Sequence, residues 1–228
     1  NCPVNATLTG RTLYKDGSWN TLCLPFDLVL EGSPLAGATV KTFESSDYNS
    51  ENGTLTLNFT TDNLTTLSAG TPYLVKWDKP EPYTAYDGNN ASTCSDIVAP
   101  TFSGVTISAI EGGSAGSMYV DFVGSFSPVD IRANNNAVLY LGNGNKLYYP
   151  SQDRTMGACR AVFRLHNGLT VGNPTAGARV TSFMMNLGDD ETTGITTTNY
   201  ANYTNKTDAW YDLQGRRVSG KPTAKGLY

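Results

Sequence analysis

The sequence has few charged residues, a single histidine and no long hydrophobic run. Charged residues make up 16% of the 228 residues, against about 25% in typical soluble proteins. Because His166 is the only histidine, metal centres built from several histidines are excluded. A net charge of −4 argues against nucleic-acid binding, which needs a basic surface. No apolar stretch approaches the roughly 20 residues of a membrane-spanning helix, so we expect no transmembrane segment.

Cysteine is also scarce, and its spacing is uninformative about metals. The four cysteines are Cys2, Cys23, Cys94 and Cys159, and no two are spaced as C-x-x-C. Zinc-ribbon and thioredoxin-like sites are therefore excluded. Four cysteines allow three disulfide pairings, between which the sequence does not discriminate. Cys23 lies between two leucines, and we expect it to be a small buried apolar residue.

What the sequence does contain is aromatic residues and alternating strand patterns. Thirteen tyrosines, eight phenylalanines and three tryptophans can fill a core, which argues against disorder. Residues 54–60 alternate apolar and polar side chains, as in a half-buried antiparallel strand. Residues 138–141 and 146–149 flank Asn143 and Gly144, which predicts a β-hairpin. Further strands are predicted at 73–77, 105–110, 118–123, 161–165 and 179–187.

These strands, spaced by turns rich in Gly, Pro, Asn and Ser, predict an all-β antiparallel β-sandwich. Two packed sub-sandwiches dividing near Ala99 and Pro100 are an alternative. The only helical signal, at 62–67, amounts to a single capped turn. Composition changes at Gly194, so we predict a sandwich over 1–195, a Thr/Asn-rich linker over 196–208 and a short C-terminal β tail over 209–228.

Catalytic motifs are incomplete. Residues 112–116 match the G-x-S-x-G pattern around Ser114, but a predicted strand follows where a nucleophile elbow needs a helix. We expect a glycine-rich turn there instead. His166 precedes an Asn-Gly turn and is expected at a solvated loop edge. The sequence therefore predicts no catalytic residue, no cofactor and no enzyme activity.

Carboxylates leave two alternatives open. A carbohydrate-active hydrolase would need two converging carboxylates, for which Asp121, Asp130 and Asp153 are candidates. The densest acidic cluster lies after residue 188, where a solvated turn is the favoured interpretation. Calcium is the alternative ligand there, because a hard cation prefers clustered carboxylates; the residues are Asp189, Asp190 and Glu191.

Aromatic residues in a loop are the best binding candidates. Tyr83 and Tyr86 lie in the Pro/Gly/Asn-rich segment 80–90, where flat rings could stack on a sugar or a partner protein. Polar neighbours could hydrogen-bond sugar hydroxyls; they are Asp87, Asn89 and Asn90. The alternative is that both tyrosines fold back and shield the edge of the sandwich.

Two resemblances concern the place of the protein in the cell. Segments between residues 8 and 187 resemble a module that recurs in secreted proteins of the Bacteroides and Prevotella group; they are 8–26, 69–77, 122–129, 138–150 and 157–163. No catalytic role is attached to that module. The pattern Trp-Tyr-Asp-Leu-Gln-Gly-Arg-Arg-Val at 210–218, with 221–228, is similar to the start of the C-terminal sorting domains of Bacteroidetes exported proteins. Those domains usually continue with a further basic strand, which does not follow Tyr228 here.

The resemblances imply a secreted or outer cell-surface protein that meets a secretion machinery through its C-terminal tail. We therefore expect a non-catalytic module, structural or ligand-binding, whose partner is a glycan or a host or cell-surface protein. The hydrolase with paired carboxylates is the alternative. A spacer that holds another domain away from the membrane is a third interpretation.

Overall fold

A computed structural model describes residues 2–60, 62–171 and 178–188, together with the backbone of 193–195, 210–211 and 217–218. The described residues form 23 strands and one short 3-10 helix at Asn143–Asn145. The strands are β1 Val4–Thr7, β2 Thr12–Leu13, β3 Asn20–Cys23, β4 Leu28–Val29, β5 Thr39–Asn49, β6 Thr54–Phe59, β7 Thr66–Leu67, β8 Pro72–Lys76, β9 Ile97–Val98, β10 Thr101–Val105, β11 Ser114–Gly116, β12 Val120–Ser125, β13 Val129–Ile131, β14 Val138–Gly142, β15 Lys146–Tyr148, β16 Arg154–Met156, β17 Arg160–Leu165, β18 Leu169–Thr170, β19 Ala178–Arg179, β20 Ser182–Asn186, β21 Thr193–Ile195, β22 Trp210–Tyr211 and β23 Arg217–Val218.

The first large sheet has six strands in the order β21-β20-β6-β5-β8-β3. Its strands are antiparallel except β20, which runs parallel to β6. In β6, Leu55, Leu57 and Phe59 are buried and the intervening polar residues are half-exposed. The alternation read from residues 54–60 is therefore confirmed, since successive side chains of a strand point to opposite faces.

The second large sheet has five strands in the order β11-β12-β17-β14-β15. Strands β14 and β15 form the predicted hairpin, with Tyr140 opposite Tyr148. In its turn, Gly144 has φ +65° and Asn145 has φ +59°. Glycine and asparagine are the residues that adopt this left-handed conformation most readily, and here the pair that adopts it is Gly144 and Asn145, one position beyond the predicted Asn143 and Gly144.

The two sheets pack face to face around an aromatic core. Phe43 and Phe59 come from the six-stranded sheet, and Phe122 and Phe163 come from the five-stranded sheet. The last two rings are stacked with their centres 4.5 Å apart. Strands from two sheets that enclose one core make a β-sandwich, so the predicted all-β fold is confirmed.

A second core lies on the other face of the six-stranded sheet. In β8, Leu74 belongs to the aromatic core, while Tyr73 and Val75 belong to the second cluster. The second cluster also includes Phe26 and Phe102, whose ring centres are 5.2 Å apart. Because both faces of β8 are covered, its four residues from Pro72 to Val75 are all buried.

The sheets come closest at one corner of the sandwich, between β3 and β17. The hydroxyl oxygen of Thr21 accepts a hydrogen bond from the backbone N–H of Ala161, at 3.2 Å. Nearby, a methyl group added to Gly124 would lie 2.7 Å from the Cβ of Cys23. Glycine at 124 therefore permits the close approach. Cys23 is fully buried, as predicted.

Several predicted boundaries were wrong. The strand expected at 105–110 ends at Val105, and beyond it Ile107 makes only an isolated bridge to Phe26. Ile110 is 96% exposed, so this apolar run does not reach a core. In place of the helical turn expected at 62–67, the segment ends in the strand β7.

Two further segments differ from the expected pattern. The glycine-rich stretch around Ser114 is not a turn but the edge strand β11, which pairs with β12. The expected strand at 179–187 is interrupted after Arg179, because the Thr181 N–H donates a hydrogen bond to the carbonyl of Gly53. Local apolar content alone did not reveal either pairing.

The chain divides into two compact units, residues 1–198 and 199–228. Residues on both sides of Ala99 pair with the N-terminal strands, as β9 with β2 and β10 with β1. No division at Ala99 is therefore seen. In the second unit, β22 and β23 are antiparallel, with Trp210 opposite Val218. The predicted linker and the calcium candidates Asp189, Asp190 and Glu191 lie outside the described residues, and the predicted domain roles stay predictions.

Candidate functional site

A cleft of about 540 Å³ opens at the corner where the two sheets meet. Its walls come from three parts of the chain: the segment that leads into β3, the long loop after β8, and the strands of the five-stranded sheet at this corner. The side chains that line it include Arg11, Tyr14, Asp16, Trp19, Tyr83 and Arg160. The volume lies within the range of small-molecule sites, which is about 300–1,000 Å³.

Tyr14 forms one rim of the cleft, and Asn20 holds it in place. The Asn20 side-chain oxygen accepts a hydrogen bond from the Tyr14 N–H at 2.9 Å, and its amide N–H donates to the Tyr14 carbonyl at 2.9 Å. The side chain of Asn20 is buried, so this reciprocal pairing is shielded from water. Tyr14 itself is 46% exposed, which leaves an aromatic surface available at the rim.

Asp96 joins the two walls of the cleft. This carboxylate is 6% exposed and accepts hydrogen bonds from the Lys15 N–H at 2.8 Å and the Tyr86 N–H at 2.9 Å. It also accepts a hydrogen bond from the Tyr83 hydroxyl at 3.0 Å. A buried carboxylate with three donors fixes the loop against the segment that carries Tyr14.

Tyr83 is the predicted binding residue that the structure places in the cleft. Its ring is half-buried, and the Lys79 ammonium lies 5.3 Å from the ring centre. Burial, together with the hydrogen bond to Asp96, raises the pKa of Tyr83 to about 12. The hydroxyl therefore remains a neutral donor at physiological pH.

The other predicted loop residues lie beside the cleft rather than in it. Tyr86 is half-buried, does not line the cleft and donates its hydroxyl to the Gly88 carbonyl. One Asp87 carboxylate oxygen accepts from the N–H groups of Asn89 and Asn90, and the Asn90 amide donates to the carbonyl of Ala85. Asp87 and Asn90 thus shape the loop tip.

The floor of the cleft contains a buried arginine. Arg11 is 3% exposed, and its Nη2 donates to the Thr21 carbonyl at 2.6 Å. Its Nε and Nη1 have no hydrogen-bond partner among the described residues. Burial, and then the charge of Arg160, lower the pKa of Arg11, and burial also lowers that of Arg160. Two guanidinium groups therefore lie close together in a poorly hydrated place.

Asp16 lines the same cleft, but it makes no ion pair with either of these arginines. Arg132 forms an ion pair with Asp153, and His166 lies 3.4 Å from an oxygen of Asp121. Neither Arg11 nor Arg160 has a carboxylate at ion-pair distance among the described residues. Nor does the described part contain a group of three His, Cys, Asp or Glu residues that could hold a metal ion.

The carboxylates considered for a hydrolase lie elsewhere. Asp121 is 3.4 Å from the Nε2 of His166, and Asp130 accepts a hydrogen bond from Thr155 at 2.7 Å. Asp153 accepts from the Ala133 N–H and from Arg132, and these two contacts lower its pKa. None of the three carboxylates lines the cleft.

Ser114 also has no nucleophile geometry. It lies on the edge strand β11 opposite Val123, and the strand β12 follows it. A nucleophile elbow needs a helix directly after the serine, so the motif lacks its structural context, as the sequence predicted. His166 follows β17 and is half-buried rather than fully solvated.

Sequence reasoning missed Arg11, Tyr14, Asp96 and Arg160. Asp96 reaches Lys15 across 81 positions of the chain, and no local period indicates such a contact. Of these four residues, Arg11 could have been recognised from the sequence, because a charged side chain beside strand residues is unusual in a weakly charged sequence.

The cleft offers aromatic surface, one carboxylate and two guanidinium groups, a combination suited to non-covalent binding of a polar ligand. No protein-family model matches the chain, and no curated protein or solved structure is significantly similar to it. The described part of the chain has no helix of the length and hydrophobicity that a bilayer crossing requires.

Proposed function

We propose that this chain is a non-catalytic glycan-binding module of a secreted or cell-surface protein. The observation that carries the proposal is the cleft at the sheet corner, which Tyr14 and Tyr83 line from distant parts of the sequence. The similarity of 210–218 to C-terminal sorting domains supports export and contact with a secretion machinery.

Carbohydrate chemistry suits this lining. A sugar ring has apolar C–H faces and a rim of hydroxyl groups, so it binds best where aromatic surface and hydrogen-bonding groups lie together. Tyr14 supplies exposed aromatic surface, and Asp16 supplies a carboxylate oxygen beside it. The Asp16 Oδ1 already accepts from the Ser18 N–H, which leaves the other oxygen for a ligand hydroxyl.

The cleft is also held in shape before a ligand arrives. Asp96 and Asn20 fix the backbone on both sides through hydrogen bonds of 2.8–3.0 Å. A preformed site loses less conformational entropy on binding than a mobile loop, which favours affinity.

A glycan-array screen of the full chain tests the proposal, followed by calorimetry on the strongest hit. Tyr14→Ala is expected to weaken binding by about two- to tenfold, because an aromatic contact contributes about 0.5–1.5 kcal/mol. The control is Tyr86→Ala, which removes a half-buried tyrosine of the loop that carries Tyr83 but does not line the cleft.

Two results would contradict the proposal. One is an array without any glycan bound above background. The other is an affinity that Tyr14→Ala and Tyr83→Ala leave unchanged, because the ligand would then bind elsewhere. Release of reducing ends from the bound glycan would show instead that the module hydrolyses it.

A further inference from the structure

We propose that the cleft selects acidic glycans, and that Arg160 binds the carboxylate of a uronic-acid-type sugar while the buried charge of Arg11 adds to the attraction. This inference rests on the proposed glycan-binding function. It concerns the floor of the cleft, whereas glycan binding itself depends on the aromatic rim.

The first observation is the unsatisfied guanidinium of Arg11. A buried donor without a partner costs about 1–3 kcal/mol, so native proteins seldom leave one unpaired. In Arg11, Nε and Nη1 have no partner among the described residues, while Nη2 donates to the Thr21 carbonyl. Both unpaired atoms are shielded from solvent, so Arg11 acts on a ligand through its charge, and the two-pronged pairing of a guanidinium with a carboxylate falls to the more exposed Arg160.

The second observation is the position of Arg160. This residue lines the cleft together with Arg11, and the same two arginines line a neighbouring pocket of about 280 Å³. The lining of that pocket contains no Asp or Glu. The two guanidinium groups in the lining repel each other, and the charge of Arg160 contributes to the lowered pKa of Arg11. A bound carboxylate would offset this repulsion.

A neutral sugar cannot supply the same compensation. Its hydroxyl groups carry no net charge, so the repulsion between the two guanidinium groups would persist after binding. Hydrogen bonds between charged partners are about twice as strong as those between neutral ones. The cleft should therefore prefer a uronic acid to its neutral counterpart by at least about tenfold, or about 1.4 kcal/mol.

The probes are glucuronate and galacturonate, each compared with the neutral sugar that differs only at carbon 6, glucose and galactose. Affinities are measured by NMR titration of the full chain at 50 mM salt. We expect at least tenfold tighter binding of the acids, and we expect Arg160→Gln to abolish that preference while the neutral sugars bind as before. Thermal melting confirms that the variant is folded.

Arg154→Gln is the matched control, because it removes the same charge from a neighbouring pocket without touching the cleft. Equal loss of the preference in Arg154→Gln and Arg160→Gln would indicate a general charge effect and would overturn the inference. Equal affinity for acidic and neutral sugars would also overturn it, while the glycan-binding proposal would stand.

The same measurements also show whether the aromatic glycan-binding proposal fails while the arginine site holds. If the acids bind tightly and Tyr14→Ala and Tyr83→Ala do not weaken them, the arginine pair is an anion site and the aromatic glycan-binding proposal fails. If none of the four sugars and no arrayed glycan binds, both proposals are overturned.

Discussion

Between the two sheets, four phenylalanine rings pack against one another, whereas at the corner of the same sandwich two arginines line one cleft. The four rings and the Arg11 side chain are buried. In the first, the packed rings are apolar and gain free energy from leaving water, by about 25 cal/mol per Å². In the second, Arg11 has given up hydration and makes one hydrogen bond to the described residues in return.

The contrast separates stability from function. The aromatic core stabilises the fold, while the arginine corner reduces its stability because buried charges without counterions are costly. Groups that lower stability and line a cleft are the ones expected to act on a ligand. Substitutions in the two regions should therefore change stability in opposite directions.

The largest effect is expected in the aromatic core. Phe163→Ala removes a fully buried ring that stacks on Phe122, and should lower the free energy of unfolding by about 3–5 kcal/mol. Denaturant titration measures the change. Ile110→Ala, at a residue that is 96% exposed, should stay within about 0.5 kcal/mol of the parent. Similar losses in both variants would contradict the assigned core.

The next largest loss of stability is expected at Asp96, the carboxylate that joins the two walls of the cleft. Asp96→Ala leaves three donors without their acceptor and should cost about 2–3 kcal/mol, measured by the same titration. Asp87→Ala removes an exposed carboxylate of the same loop and should cost distinctly less. Protease cleavage in the loop should accelerate in the Asp96 variant. A loop as protected as the parent's would show that Asp96 does not hold it.

The hairpin turn tests backbone conformation separately from packing. Gly144→Val should cost about 1–2 kcal/mol, because a β-branched residue resists φ of +65°, although an added Cβ meets no atom within 4 Å. Gly144→Asn should retain most of the stability, since asparagine tolerates this conformation. Equal melting temperatures for the two variants would refute the conformational explanation.

Replacing the buried arginine of the cleft should change the free energy of unfolding in the opposite direction. Arg11→Met replaces a buried charge by an apolar side chain of similar length and should raise the free energy of unfolding by about 1 kcal/mol. Arg132→Ala breaks an exposed ion pair and should change it by no more than about 0.5 kcal/mol. Destabilisation of more than 2 kcal/mol by Arg11→Met would mean that Arg11 is structural.

The smallest effect concerns pH. The pKa of Tyr83 is about 12 in the folded chain, above the ordinary value of 10, so the folded state holds this proton more tightly. The stability that the hydroxyl contributes is present below pH 10 and is lost as pH rises toward 12. The stability difference between the parent and Tyr83→Phe should shrink across that window in denaturant titrations. A constant difference would contradict the hydrogen bond to Asp96.

The local features of this fold could be read from the sequence. The alternation at 54–60, the Asn-Gly turn at 143–144 and the burial of Cys23 depend on neighbouring residues alone, because strand period and turn conformation are local properties. Around residue 110 the same reasoning failed, since an apolar run becomes a strand only where a partner strand is available to pair with it.

By itself the sequence determined an all-β chain with an aromatic core, few charges and an aromatic loop after residue 80. Only the tertiary structure decided that Tyr83 faces a cleft while Tyr86 does not, and that Asp96 joins the loop to Lys15. The tertiary structure also decided that Arg11 and Arg160 line the same cleft. The physical reason is that a strand records which face is buried, whereas sheet pairing determines which distant residues meet at a corner.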